Sequence, residues 1–212
     1  MNLVNYLVDI YGYGNPIFIK DVRIGRKSKT AIREEFYRAC KKGDIVRNGP
    51  GVYSIVDQNK RFPKVATFEK IIEEKYIYKK NVMPELKELF ICGYYSGLTY
   101  INNIGISPQV PMMLEITTNR TSSKKRYFVI GKRIAIIRKA RTDVTPFNYK
   151  ILQFLDMFHY VTLDEIIDNR DLLKKYIIEN QLSKYDFKKY ISLYSLQTLK
   201  KITEGGLLDA FI

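Results

Sequence analysis

Residues 29–42 contain neither proline nor glycine, and both ends carry a stop signal. Ser28 stands ahead as an N-cap, and Gly43 stands behind where a left-handed residue closes a helix. Ile32, Phe36, Ala39 and Cys40 fall on one face at helical spacing. Thr30, Glu34, Tyr37, Arg38 and Lys41 fall on the other, with Arg33 at its flank. Directly after Gly43 come two β-like runs, Asp44–Arg47 and Gly51–Ile55, joined by the turn Asn48-Gly49-Pro50-Gly51. An amphipathic helix tied this tightly to a hairpin admits few folds. Upstream, Leu3, Val4, Leu7 and Ile10 predict a helix over 2–11, and Gly12-Tyr13-Gly14-Asn15-Pro16 ends it. Residues 17–24 predict a second helix, and Gly25-Arg26-Lys27-Ser28 a turn. Helix, helix, turn, basic helix, hairpin is the order of a winged helix-turn-helix, here residues 1–60.

A helix of this kind lies in the major groove of DNA with its first turns against base edges, and the wing touches backbone or minor groove. The expected DNA contacts are Arg26, Lys27, Ser28, Lys29, Thr30, Arg33, Tyr37 and Arg38, with Arg47 and Asn48 on the wing. The plainer alternative for Arg33 and Arg38 is a solvated helix face paired with Glu34 and Glu35. Winged helices also dock proteins, so fold alone does not fix function.

Charge favours a polyanionic partner. The 212-residue chain carries 36 Lys and Arg against 22 Asp and Glu, a net charge of +14. The excess is concentrated in residues 1–60 and 119–141. The second segment holds Arg120, Lys124, Lys125, Arg126, Lys132, Arg133, Arg138, Lys139 and Arg141 and no acid. It reads as a contact surface for DNA or an acidic protein, or as a lysine rim that blocks edge pairing of a sheet.

Pro63, after the polar stretch Asp57–Arg61, marks a boundary near residue 60. A helix is predicted over Lys64–Glu74 with Val65, Phe68, Ile71 and Ile72 inward, and another over Gly93–Asn103 with Tyr94, Leu98 and Ile101 packing. Residues 81–92 leave the choice open. Three strand-like runs follow, Met112–Thr118, Arg126–Ile130 and Arg133–Arg138, the last two joined by Gly131-Lys132. The predicted class is α+β. A winged helix (1–60) is followed by a mixed α/β domain with a small, mainly antiparallel sheet (61–150) and a helical C-terminal region (151–212). That last region is predicted to break near His159, Asn180 and Leu193.

Two motifs resemble a known family. Ala39–Tyr53 looks like the winged-helix ending of AbiEi-type antitoxins, regulators of type IV toxin–antitoxin (abortive-infection) systems. Gly93-Tyr94-Tyr95-Ser96-Gly97-Leu98 through Ile104–Pro111 is similar to that family's glycine-led block and its Gln-x-Pro ending. The resemblance covers roughly residues 1–150. Ala39 replaces the usual leucine, Ile106 and Ser107 depart from the commoner neighbours, and the tail beyond 150 matches nothing in the pattern. The resemblance implies autorepression of a bacterial operon through operator DNA, and neutralisation of a nucleotidyltransferase-like toxin through the later domain.

Other chemistry finds little footing. The chain has no Gly-x-Gly-x-x-Gly, P-loop or Gly-x-Ser-x-Gly motif, and Tyr95-Ser96-Gly97 lacks the first glycine of the last. His159 is the one histidine, and Cys40 and Cys92 lie in apolar patterns as reduced thiols. A metal-dependent nuclease would need acids and a lysine around a sheet, for which Glu85, Lys87 and Glu115 are the only footing. An RNA- or protein-binding scaffold is the third class. The sequence therefore predicts a non-enzymatic, cytoplasmic protein with no metal or cofactor, and no signal or membrane segment.

Overall fold

The computed structural model describes residues 2–78 and 84–212, and within these not the side chains of residues 84, 85 and 88. It is a mixed α+β protein with one three-stranded and one four-stranded sheet among the described residues. The contacts divide the chain into two compact units, residues 1–74 with 129–133, and residues 75–128 with 134–212.

The first unit begins with α1 (Leu3–Tyr11), capped by the Asn2 side chain on the Val4 amide. Strand β1 (Ile17–Phe18) leads into a single 3-10 turn, Ile19–Asp21. This corrects the helix predicted over 17–24: Ile17 and Phe18 pair with Tyr53 and Val52, so a distant strand overrides the local pattern. Helix α2 is Lys29–Lys42, where the caps placed it. Ser28 Oγ accepts from the Ala31 amide, and Gly43 adopts φ 80° and closes the helix onto the Ala39 and Cys40 carbonyls. The hairpin β2 (Ile45–Gly49) and β3 (Val52–Ile55) completes an antiparallel sheet of order β1-β3-β2, with a bulge between Arg47 and Gly49.

Leu3, Leu7, Ile17, Val22, Ile24, Ile32, Phe36, Ala39, Ile45 and Ile55 form its core. Phe36 is fully buried and meets the Tyr53 ring edge-on at 5.0 Å. Burying a side chain of this kind stabilises by roughly 1.5–3 kcal/mol before ordering costs. Helix α3 (Phe68–Ile72) is N-capped by Thr67 and continues as a π-helical turn, Glu73–Ile77. Its start lies after the predicted Lys64, because the Thr67 hydroxyl takes the Lys70 amide. Val65 therefore lies outside the helix and is exposed, not inward.

The second unit is built on the sheet β4-β5-β7-β6, except for the β6–β7 tip, residues 129–133, which belongs to the first. Its strands are β4 (Gly93–Tyr95), β5 (Leu114–Thr118), β6 (Lys125–Ile130) and β7 (Arg133–Lys139). β4 runs antiparallel to β5, β6 and β7 form the hairpin across Gly131-Lys132, and the central pair β5–β7 is parallel. The predicted helix over 93–103 is thus a strand followed by α4 (Gly97–Asn103). A Cβ at Gly93 would run into the Tyr76 carbonyl, so only glycine lets β4 lie this close. Tyr94 and Ile101 pack inside as expected, whereas Leu98 is half exposed.

The C-terminal region is helical, as α5 (Tyr149–Met157), α6 (Leu163–Asp168), α7 (Arg170–Glu179), α8 (Lys184–Ile191) and α9 (Leu196–Glu204). These helices share one core with the sheet, in which Phe154, Phe158, Leu173, Ile177 and Phe211 meet Tyr94, Tyr100 and Ile101. Of the residues left open, 81–83 lie outside the described residues, and Pro84–Phe90 is a 3-10 turn.

Candidate nucleic-acid interface

Because α2 buries Ile32, Phe36 and Ala39, the 100° step per residue turns Thr30, Arg33, Tyr37 and Lys41 outward. All four are exposed, Tyr37 by 60%. Lys41 Nζ lies 4.7 Å over the Tyr37 ring. Arg26, Lys29 and Arg33 are exposed and make no ion pair among the described residues. Arg38 reaches Glu34 only at 3.9 Å, with both side chains about two-thirds exposed, a contact worth a few tenths of a kcal/mol at most. Three unpaired cations thus flank the start of a capped helix, whose free amides and dipole also favour an anion.

The other residues expected here serve structure. Ser28 is occupied as the N-cap. Lys27 is bound to Glu35 at 2.6 Å and braces the first two turns of α2. On the hairpin, Arg47 is exposed, but Asn48 donates to the Ala66 carbonyl at 3.2 Å. A Cβ at Gly49 would come within 3.1 Å of Ile130 Cγ1. The hairpin tip is therefore packed against its own unit, and Arg47 is its one exposed cation.

In the segment 119–141 the arginines and the lysines behave differently. Arg120 donates to the Lys75 carbonyl at 2.9 Å, and Arg126 to the Tyr76 hydroxyl at 3.0 Å. Arg133 pairs with Glu69 at 2.6 Å, and Arg138 with the buried Glu115 through two bonds of 3.0 and 3.3 Å. Arg141 meets Asp156 and lies over the Tyr194 ring. Lys124, Lys125 and Lys132 are exposed and make no ion pair among the described residues. Lys125 Nζ lies 5.2 Å from the Tyr127 ring. Planar guanidinium groups bond in two directions at once, whereas lysines stay hydrated. Net charge does not separate the two sets, whereas residue type does.

Two acids of the second unit, the buried Glu115 and the partly buried Asp156, each hold a polar network. Glu115 Oε2 takes both Arg138 bonds, and its Oε1 faces the Leu98 amide at 3.4 Å. Asp156 accepts from the Tyr94 hydroxyl at 2.8 Å and from Thr117 at 3.4 Å. Burial pushes the Asp156 carboxyl above its ordinary range, against the opposing pull of Tyr94, Arg141 and Thr117. Burial likewise raises the Tyr94 hydroxyl, with the Asp156 charge adding to it. Of the residues considered for a nuclease, the side chain of Glu85 lies outside those described, and Glu115 is committed to Arg138. Among the described residues no three His, Cys, Asp or Glu side chains group as metal ligands. His159 is exposed, with its ring edge-on to Tyr160. No helix among the described residues is long and apolar enough to cross a membrane. Compared with protein-family models and with curated proteins, the chain matches none.

Proposed function

We propose that the first unit is a winged helix that binds double-stranded operator DNA through α2, and that the chain is a repressor of its own operon. The observation that carries this reading is the exposed, unpaired set Arg26, Lys29 and Arg33 at the capped start of α2. Tyr37 lies a turn further along the same face. The order α1, β1, α2, β2, β3 and the sheet order β1-β3-β2 support it. A 3-10 turn stands where such a unit usually carries its second helix. Base reading is assigned to Arg33 and Tyr37, and phosphate contact to Arg26, Lys29 and Arg47.

The fuller reading adds an antitoxin role for the second unit, acting without catalysis against a nucleotidyltransferase-like toxin. It rests on the resemblance at Ala39–Tyr53 and Gly93–Pro111. The test of the DNA role is fluorescence anisotropy of the full chain on the duplex upstream of its own reading frame and on a shuffled duplex. Preference for the upstream duplex, with affinity falling steeply with salt, supports it. Equal affinity for both duplexes rejects a sequence-specific repressor. For the antitoxin role, co-expression with the neighbouring toxin gene is expected to restore growth, and its failure to do so removes that role.

A further inference from the structure

The four-stranded sheet of the second unit has one face that its own helices leave partly open. Tyr76 marks the opposite face: its carbonyl takes the Thr118 hydroxyl, and its ring meets Phe128 and the Arg126 guanidinium. Side chains alternate along a strand. Glu115 and Thr117 on β5, Ile136 and Arg138 on β7, and Lys125 and Tyr127 on β6 therefore share the other face. There Leu98, Met113, Glu115 and Ile136 line a groove of about 240 Å3, with Val110 and Met112 at its lip. Met112 is 99% exposed, Val110 78% and Tyr127 59%.

We propose that this face docks a partner protein presenting an apolar side chain flanked by carboxylates. Single exposed apolar residues are ordinary, but several around one groove mark an interaction surface. Methionines give such a lip an adaptable shape. The charge around it selects the partner. Lys125 on this face and Lys124 just before its strand are exposed and make no ion pair among the described residues, and residues 119–141 contain no acid. The groove's own carboxylate, Glu115, is already held by Arg138. A nucleic acid gains nothing from burying Met112, Val110 or Leu98. A second copy would set lysine against lysine in a chain of net charge +14. An acidic, apolar-tipped protein surface satisfies both features. The inference rests on the proposed antitoxin role only for the identity of that protein.

The probe is a labelled synthetic peptide alternating Glu with Leu and Phe, titrated with the full chain. The controls carry Lys for Glu, or Ser for Leu and Phe. The expected result is binding at least about tenfold tighter for the first peptide than for either control. Met112→Asp, at a fully exposed position, weakens it by about the same factor. Lys124→Glu with Lys125→Glu switches preference to the lysine peptide, whereas Lys41→Glu with Lys42→Glu leaves it unchanged. Equal binding of the three peptides overturns the proposal, as does indifference to Met112→Asp. Competition by duplex DNA for the same face, or self-association abolished by Met112→Asp, also overturns it in favour of those occupants. Operator binding measured on the same variants keeps the two readings apart. In wild type, absent peptide preference with intact operator binding removes only the docking face, and the reverse removes only the DNA role.

Discussion

The α2 face and the segment 119–141 look alike in the sequence, since both are basic and both interleave aromatic residues. In the folded chain they differ in what their cations already hold. Around the start of α2, Arg26, Lys29 and Arg33 are exposed and pair with no acid among the described residues. In 119–141 every arginine is engaged: Arg120 and Arg126 by polar oxygens, Arg133, Arg138 and Arg141 by carboxylates. Net charge counts both sets equally, but an arginine already holding an oxygen of the protein has less to offer a phosphate, and the exposed Lys124, Lys125 and Lys132 stand at no capped helix start. The comparison separates charge that builds the protein from charge that meets a partner.

The sharpest way to break it is Arg138→Ala. If that arginine is structural, its loss strands Glu115 in a buried site, and denaturant unfolding should show a loss of about 3 kcal/mol. Operator affinity of the folded fraction should stay unchanged. A variant as stable as wild type would put Arg138 back among the available cations. Next in size are Arg33→Ala and Tyr37→Ala, each expected to weaken upstream-duplex binding by roughly 1–3 kcal/mol with little change in shuffled-duplex binding. Circular dichroism should be unaltered, because both side chains are exposed. Ser28→Ala removes the α2 cap and should cost about 1 kcal/mol of stability, read as a lower thermal midpoint.

A pH series probes the internally held polar groups. Asp156 carries a raised carboxyl pKa in the fold, so the folded state holds its proton more tightly than the unfolded chain does. That contribution is present below the ordinary carboxylate pKa and is lost as pH rises through the raised value. Wild type should therefore lose stability relative to Asp156→Asn as pH climbs through this window, since the amide oxygen of that variant does not titrate and can still accept from Tyr94. A difference independent of pH would show that Asp156 titrates alike in the folded and the unfolded chain. The smallest effect belongs to Lys124→Ala with Lys125→Ala, within about 0.5 kcal/mol of wild-type stability.

What could be read from the sequence followed the range of the interactions. The bounds of α2 were legible because Ser28 and Gly43 act on amides and carbonyls within a few residues. The C-terminal region was legible as helical with breaks near His159, Asn180 and Leu193, but not the break at Asn169 between α6 and α7, and Thr162 adds a capping box for α6. Strand β1 was not, since Ile17 and Phe18 are held by Tyr53 and Val52 across the chain. Strand β4 was hidden in the same way: Gly93-Tyr94-Tyr95 reads as helix until Thr118, Thr117 and Ile116 stand beside it. In the candidate interface the sequence placed Arg33 and Tyr37 outward correctly. It could not show that Lys27 is bound to Glu35 or that Asn48 turns to the Ala66 carbonyl. Those partners are fixed by packing, which local spacing does not encode.

The most direct test of a DNA surface at the capped start of α2 is one salt series with three proteins: wild type, Arg26→Ala with Lys29→Ala, and Lys124→Ala with Lys125→Ala. Each is titrated onto the upstream duplex by anisotropy. Each lost phosphate contact should flatten the slope of log K against log salt by about 0.9. The account predicts a slope shallower by up to about two contacts for the α2 variant, with the Lys124 and Lys125 variant following wild type. A slope unchanged in the α2 variant and flattened in the other would contradict it and move the DNA surface to the second unit.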